Sequence, residues 1–170
     1  EDKDNSSEEN DIFIPVEKAF GDYLVLISNM VESGAVEHAI YYCDSIKEVI
    51  DGGTLNVGEE DIHRFYRLYS DANFKAGNYP RVLTLCDERK SMIGADTDDA
   101  IVNRFNFEYT YLVALCHSCG GQDSLAEKYA EECSEIAKKT GDEYLIFKTD
   151  LLKCMVQFRS WTNIYLWHID

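Results

Sequence analysis

Apolar residues recur at three- and four-residue steps from about residue 12 onward, which is the period of a helix with one buried face. In the stretch AFGDYLVLISNMVES, for example, Phe20, Leu24, Ile27 and Val31 fall on one face. No segment shows the strict alternation that is typical of a half-buried β-strand. The pattern therefore predicts an all-α protein.

Eight helices are predicted, and glycines end most of them. Their sequences are, in chain order, AFGDYLVLISNMVES, VEHAIYYCDSIKEVI, EEDIHRFYRLYSDANFKAG, NYPRVLTLCDERKSMI, DTDDAIVNRFNFEYTYLVALCHSC, QDSLAEKYAEECSEIAKKT, EYLIFKTDLLKCMVQF and SWTNIYLWHID. Pro80 fits the first turn of the fourth helix, where its missing N–H costs no hydrogen bond. The eighth helix is expected to follow a turn at Arg159 and to be incomplete.

Residues 1–11 differ from the rest of the chain, because they hold six acidic residues, one lysine and no apolar residue. Such a composition predicts a flexible, solvated tail. The remaining residues, 12–170, are expected to form a single helical domain. Its units are expected at about 12–52, 58–94, 97–140 and 142–170, the last of them incomplete.

The predicted turns recur along the chain. Gly34, Gly77 and Gly121 lie 43 and 44 residues apart, and Arg159 follows 38 residues later, where a glycine would be expected. Apolar residues recur in register with these turns: five positions after each stand Ala39, Val82, Ala126 and Ile164. A fixed period of this length is the signature of stacked helix hairpins.

Three stretches carry a family resemblance: NMVESGAVEHAIYYCDSI, NFKAGNYPRVLTLCDER and HSCGGQDSLAEKYAEECSEIA. Each is a helix end, a glycine and a helix with small residues at close-packing positions. Over about residues 20–170 the chain therefore resembles the tetratricopeptide-repeat family. Its period exceeds the usual 34 residues of that family, which is similar to the long repeats of many bacterial regulators. The resemblance implies a right-handed superhelix (an α-solenoid) of about 3.5 repeats.

The resemblance also implies a concave groove, lined by the first helix of each pair, that holds peptides or partner helices. Projected onto this chain, the groove residues with a binding role are Arg64, Arg67, Asp71, Phe74, Lys75, Glu108, Tyr111, Leu115, Ser118 and Lys153. The same projection turns further residues toward the groove: Leu24, Ser28, Val31, Cys119 and Thr149.

The cations among these residues are conspicuous because the chain is strongly acidic, with 16 Lys and Arg against 32 Asp and Glu and a formal net charge of −16. Arginine binds carboxylates with two parallel hydrogen bonds. Arg64, Arg67 and Lys75, with Phe74 and Tyr111 as apolar anchors, therefore favour an acidic or carboxylate-bearing peptide as the partner. The alternative is that the arginines pair with Glu60, Asp61 or Asp71 on the helix surface, which would contribute little.

The same charge excludes other partners. Binding to nucleic acid or to an anionic membrane surface requires clustered cations, so neither is expected. No apolar run approaches the length of about 20 residues that a membrane-spanning helix needs.

Most of the six cysteines lie inside helical patterns beside apolar neighbours. We therefore expect free thiols, a reducing compartment and a cytoplasmic location.

The stretch YLVALCHSCGGQD, residues 111–123, holds two cysteines at the spacing of a redox dithiol or half a zinc site. A redox thiolate needs a helix N-terminus, whereas Cys116 and Cys119 come in the last turn of a helix. Zinc needs two more ligands, and no second close pair of cysteines exists. Cys43, Cys86, Cys116 and Cys154 instead recur in register with the turns, as small packing residues would.

Two classes of function remain. The first is a non-enzymatic protein-binding scaffold or sensor, without a cofactor, that is either free-standing or part of a larger bacterial signalling or regulatory protein. This includes the regulatory region of an enzyme such as a diguanylate cyclase or a histidine kinase. The second is a thiol-redox or metal protein that uses Cys116 and Cys119. Trp161 and Trp167 indicate apolar surface that a following helix or a second subunit would cover, so a homodimer through the C-terminal helix region is also considered.

Overall fold

A computed structural model describes the backbone of residues 16–53 and 57–166 and the side chains of residues 19–53 and 57–160. Within these ranges the regular secondary structure is entirely helical, which confirms the all-α class. The acidic tail predicted at residues 1–11 and the side chains of Trp161 and Trp167 lie outside the described residues. In the described part, no helix combines the length and the apolar character that crossing a bilayer requires.

The described part of the chain contains seven helices. They are α1 (Val16–Ser33), α2 (Val36–Asp51), α3 (Glu59–Lys75), α4 (Tyr79–Ser91), α5 (Asp99–Cys119), α6 (Asp123–Thr140) and α7 (Glu143–Leu166). Pro80 lies in the first turn of α4, as its sequence position predicts. The Asp98 carboxylate begins α5 by accepting a hydrogen bond of 2.7 Å from the Ala100 N–H.

The turn and the eighth helix predicted around Arg159 are wrong. α7 continues without interruption from Glu143 to Leu166, through Arg159. The earlier turns use a glycine in the left-handed region, which costs a residue with a side chain about 1–2 kcal/mol. Because arginine is a good helix former and disfavours that conformation, the backbone at this position stays helical.

The three glycine turns share one hydrogen-bond pattern. Gly34, Gly77 and Gly121 have φ of 85°, 77° and 72°. In each turn the N–H of the next residue donates to a carbonyl five positions earlier: Ala35 to Met30 at 2.8 Å, Asn78 to Asn73 at 2.9 Å and Gln122 to His117 at 2.9 Å. This is the Schellman motif, which satisfies the last carbonyls of a helix and reverses the chain. The turns join α1 to α2, α3 to α4 and α5 to α6.

The buried apolar residues form two large clusters with a small one between them. The first joins α1, α2 and α3 and includes Leu24, Ile27, Phe65 and Tyr66. The second joins α5, α6 and α7 through residues such as Ala114, Ala130 and Leu152. Between them lies a cluster with three buried members, Val82, Cys86 and Cys116, against which partly buried apolar side chains pack. This cluster, where α4 meets α5, has fewer buried residues than either large cluster, and charged groups and cavities lie beside it.

The outward face of α7 is apolar. Five of its side chains are between 46% and 70% exposed and lie three or four positions apart: Tyr144, Phe147, Leu151, Met155 and Phe158. The opposite face, which includes Leu152 and Val156, is buried against α5 and α6. The exposed stripe belongs to the same end of the chain for which the sequence predicts apolar surface.

Candidate partner-binding site

Two adjoining cavities lie between α3 and α5, at the boundary between the two large cores. The larger, of about 270 Å³, is walled by aromatic side chains and is called the aromatic cavity here; its rings are Phe74, Phe105, Phe107, Tyr109 and Tyr111. The smaller, of about 60 Å³, lies beside it. Arg67, Arg89 and Glu108 line both cavities. The two therefore form one continuous site.

The smaller cavity gathers four of the six arginines of the chain, which we call the arginine cluster: Arg64, Arg67, Arg89 and Arg104. Two carboxylates, Glu60 and Glu108, line the same cavity. The four guanidinium groups therefore outnumber the carboxylates around the cavity, although the whole chain carries a net charge of −16. Each guanidinium presents N–H groups in a planar fork that matches a carboxylate.

Helical spacing places the cavity-lining residues of α3 and α5 on one face of each helix. On α3, Arg64, Arg67, Asp71 and Phe74 follow one another at steps of three, four and three residues, so they share one face. On α5, Arg104, Glu108, Tyr111 and Leu115 do the same at steps of four, three and four. The two faces point toward each other, because Arg67 Nη1 on α3 lies 3.6 Å from Glu108 Oε1 on α5.

Arg89 is the buried member of the cluster. Its side chain is 7% exposed, and its Nη1 lies 2.8 Å from Glu108 Oε2, while the Glu108 side chain is 22% exposed. Its Nε donates to His63 Nδ1 at 3.2 Å, and its guanidinium lies 5.1 Å from the centre of the Phe105 ring. With these contacts Arg89 ties α4 to both α3 and α5. We therefore assign Arg89 the role of holding Glu108 in place between the two cavities.

His63 is buried and neutral in this arrangement. Its Nδ1 accepts a hydrogen bond from Arg89, so that nitrogen carries no proton. Burial lowers the pKa of His63 from its ordinary value of 6.5, and the positive charge of Arg89 lowers it further. A protonated His63 could not accept the bond from Arg89. His63 is therefore a support for the Arg89 guanidinium group.

Two charged groups of the aromatic cavity lack close partners. Asp71 is half-buried, and burial raises the pKa of its carboxyl group while Arg67 opposes the rise. Among the described residues, no donor forms a hydrogen bond with the Asp71 carboxylate. In the same part of the chain, no carboxylate oxygen lies within 4.0 Å of Lys148 Nζ, which is the limit for an ion pair. Lys148 Nζ instead lies 4.4 Å from the centre of the Tyr111 ring, a cation–π contact. Both groups line the cavity and are available to a bound molecule.

The structure brings together seven of the ten residues predicted to bind a partner. Six of them line the aromatic cavity: Arg67, Asp71, Phe74, Glu108, Tyr111 and Leu115. Arg64 lines the smaller cavity next to them. Neither Arg64 nor Arg67 forms an ion pair with Glu60, Asp61 or Asp71 among the described residues. The alternative of simple pairing on the helix surface therefore fails for these arginines.

Three predicted residues lie elsewhere. Lys75 Nζ donates to the Val31 carbonyl at 2.7 Å, at the end of α1. Ser118 is buried, 5% exposed, and lines neither cavity, so its predicted place on an open groove is wrong. Lys153 Nζ lies 2.5 Å from Glu131 Oε2 on α6. Lys75 and Lys153 are thus engaged with neighbouring helices.

Further groove positions of the projection are also wrong. Leu24, Val31 and Thr149 are buried in the core, with exposures of 0%, 5% and 1%. Ser28 is half-buried and donates to Glu32 Oε1 on its own helix at 3.3 Å. Leu24 and Val31 on α1 and Thr149 on α7 therefore contribute packing and not groove surface.

Sequence reasoning missed several residues of the site: Arg89, Arg104, Phe105, Phe107, Tyr109 and Lys148. For Arg89 a signal exists. The repeat places it in register with Ile46 and Cys133, the latter fully buried. An arginine at a packing position must bring a buried partner, and here the partners are Glu108 and His63.

The cysteines take up packing positions for the most part. Cys43, Cys86, Cys116 and Cys133 are buried, and Cys154 is exposed, so the prediction of a packing role is wrong for Cys154. Burial raises the pKa of the Cys116 thiol to about 12, which suppresses the thiolate that redox chemistry needs. Cys119 is half-buried and accepts a hydrogen bond of 2.7 Å from Arg159 Nη1. Among the described residues, no group of three or more His, Cys, Asp or Glu side chains is arranged to hold a metal ion.

Comparisons of this chain with protein-family models, with curated proteins and with solved structures find no match. The site is therefore interpreted from its own geometry. The arrangement combines a cluster of guanidinium groups, an aromatic cavity and a carboxylate that lacks a donor among the described residues. Such a combination can hold an anionic group and an adjacent large side chain at the same time.

Proposed function

We propose that this chain is a non-enzymatic protein-binding module that holds an acidic segment of a partner protein between α3 and α5. The observation that carries the proposal is the arginine cluster, in which four of six arginines meet at one cavity of an otherwise acidic chain. Self-repulsion among these cations is offset only in part by Glu60 and Glu108. A carboxylate from a partner would complete the neutralisation.

The exposure of the cluster supports a binding role. Arg89 is buried and already satisfied by Glu108 and His63. Arg64 is exposed, and the side chain of Arg67 is 44% exposed with a long contact of 3.6 Å to Glu108. An exposed ion pair of that length contributes little to stability. Arg64 and Arg67 can therefore replace their contacts with water by contacts with a partner carboxylate, with little change in the stability of the fold.

The aromatic cavity favours a protein segment, and not a small anion alone, as the bound partner. Binding energy at protein interfaces concentrates in pockets that bury a large side chain beside charged groups. The aromatic cavity directly adjoins the arginine cluster through Arg67, Arg89 and Glu108. A segment that carries both an acidic and a large apolar side chain fits this pair of cavities.

The architecture included in the proposal is a solenoid similar to tetratricopeptide repeats. Three hairpins with the same turn hydrogen bonds, spaced 43 and 44 residues apart, support a regular stack. The module would serve as the sensing or docking part of a larger bacterial regulatory protein. An experimental structure in which α1, α3, α5 and α7 share one concave surface would support the solenoid.

Calorimetric titration with an all-glutamate peptide tests the function. We expect binding that weakens as salt is raised, because the charged contacts are exposed to screening. The double variant Arg64→Glu/Arg67→Glu should abolish binding. The double variant Lys138→Glu/Lys139→Glu is the matched control, because it makes the same charge change at two exposed lysines of α6. Equal affinity of the wild type and Arg64→Glu/Arg67→Glu would contradict the proposal.

A further inference from the structure

The aromatic cavity contains a hydrogen-bond acceptor that still needs a donor. Asp71 lies on α3 between Arg67 and Phe74 and lines the cavity. Its carboxylate is half-buried, and among the described residues no N–H or O–H group forms a hydrogen bond with it. A molecule that fills the cavity would strip water from this carboxylate. Such a molecule must bring a donor, or leave a buried acceptor unpaired.

The size of the cavity limits what can fill it. Its volume of about 270 Å³ lies just below the range of roughly 300–1,000 Å³ that is typical of small-molecule sites. One large side chain therefore fits better than a whole cofactor. The aromatic walls favour another ring, which would stack or meet them edge to face.

The charges around the cavity decide the kind of donor. Arg67, Arg89 and Lys148 line it together with the carboxylates Asp71 and Glu108. A lysine or arginine from the partner would meet three cations at close range, so a charged donor is disfavoured. A neutral donor on an aromatic ring satisfies Asp71 without that repulsion. Histidine would take up a proton beside the carboxylates and become a cation, which leaves tyrosine and tryptophan as the aromatic side chains with a neutral donor. Tyrosine is the smaller of the two.

We propose that a tyrosine of the partner segment, next to an acidic residue, fills the aromatic cavity and donates its hydroxyl hydrogen to the Asp71 carboxylate. The inference rests on the proposed function, since the acidic neighbour of the tyrosine is the group that the arginine cluster binds. It adds the side chain that the segment must carry and makes Asp71 a residue that determines specificity.

Tyrosine and phenylalanine form the matched pair for the test, because they differ only in the hydroxyl group. Three labelled pentapeptides are titrated by fluorescence anisotropy: tyrosine flanked on each side by two glutamates, phenylalanine with the same flanks, and tyrosine flanked by glutamines. The wild-type chain should bind the first about tenfold more tightly than the second, because phenylalanine leaves the Asp71 carboxylate dehydrated and without a donor. It should bind the third only weakly, because the arginine cluster then lacks its carboxylates.

Asp71→Ala provides the second half of the test. The variant should bind the tyrosine and phenylalanine peptides with affinities equal to within about twofold, because no acceptor then needs a donor. Thermal unfolding checks that the variant is folded; the comparison of peptides on the wild-type chain does not depend on it. Equal affinity of the wild type for the two glutamate-flanked peptides would overturn the role of the tyrosine and leave the proposed function standing. Failure to bind either of them, or equal binding of the glutamine-flanked peptide, would overturn the proposed function itself.

Discussion

Arg89 Nη1 lies 2.8 Å from Glu108 Oε2, and this pair joins the second hairpin to the third. The apolar cluster at the same boundary has three buried members, Val82, Cys86 and Cys116, fewer than the clusters on either side of it. The pair therefore does two things. It stabilises the contact between the hairpins, and it holds Glu108 where the aromatic cavity and the arginine cluster meet.

Removing Arg89 should destabilise the chain severely. Arg89→Ala leaves Glu108 with only its long contact to Arg67 and leaves His63 Nδ1 without its donor, so we expect the free energy of unfolding to fall by about 3–5 kcal/mol. Urea denaturation followed by circular dichroism measures this change.

Arg104→Ala is the control for Arg89→Ala. Arg104 also pairs with a glutamate across α3 and α5, Nη2 to Glu60 Oε1 at 3.4 Å, but the two side chains are 47% and 72% exposed. Exposed pairs contribute up to about 1 kcal/mol. If the two variants lost similar amounts of stability, the structural role of Arg89 would be refuted.

His63 should make stability fall in mild acid. Because burial and Arg89 hold its folded pKa below 6.5, the unfolded chain takes up a proton at a higher pH than the folded chain does. The contribution of His63 is complete well above pH 6.5 and is lost as the pH falls from there through the lowered pKa of the folded protein. The free energy of unfolding, measured by urea denaturation between pH 8 and pH 5, should decrease accordingly.

Two variants isolate the contribution of His63. His63→Gln should flatten the part of the pH dependence that lies below 6.5. His38→Gln, at an exposed position of α2, is the control for replacing a histidine outside the arginine cluster. A wild-type curve with the same slope as that of His63→Gln would show that His63 is not buried in neutral form.

Gly77→Ala should destabilise the second hairpin. Its φ of 77° lies in the left-handed region, where a side chain costs about 1–2 kcal/mol. Gly21 provides the opposite case, because it lies inside α1 with no atom within 4 Å of an added Cβ. Gly21→Ala should raise the free energy of unfolding by up to about 1 kcal/mol. Denaturant midpoints that moved in the same direction for the two variants would contradict the turn assignment.

Thiol titration should separate the cysteines by burial. Burial raises the pKa of Cys43, Cys86 and Cys116 to about 12 and that of Cys133 to about 11. In the folded chain at pH 8, these four should react slowly with an aromatic disulfide reagent, and the exposed Cys154 should react rapidly. Cys154→Ser should remove the fast phase. Rapid reaction of Cys116 would revive the redox interpretation of the CHSC stretch.

Much of the fold could be predicted from periodicity and turn residues. Gly34, Gly77 and Gly121 mark the three hairpins correctly, because a left-handed turn leaves a clear signature in sequence. The prediction fails at Arg159, where the repeat was extended to a position that lacks the glycine. A period indicates where a turn would come, but the local residue decides whether the backbone can make it.

The sequence predicts which residues of the site share a face of one helix, but not how that helix is rotated against its neighbours. The projection of the family resemblance found Arg67, Asp71, Phe74, Glu108 and Tyr111, because helical spacing keeps these residues on one face of α3 and one face of α5. The rotation of α7 depends on packing, and a shift of one residue turns a helix face by about 100°. The projection therefore chose Thr149, which is buried, and missed its neighbour Lys148, which lines the aromatic cavity.

Reversal of charge selectivity is the most direct measurement of the central claim. The wild-type chain should bind a glutamate-flanked tyrosine peptide and not its lysine-flanked counterpart, and Arg64→Glu/Arg67→Glu should show the reverse preference. Lys138→Glu/Lys139→Glu, which changes the net charge by the same amount, should behave like the wild type. If Arg64→Glu/Arg67→Glu retains the wild-type preference for the glutamate-flanked peptide, the arginine cluster between α3 and α5 is not a binding site for acidic segments.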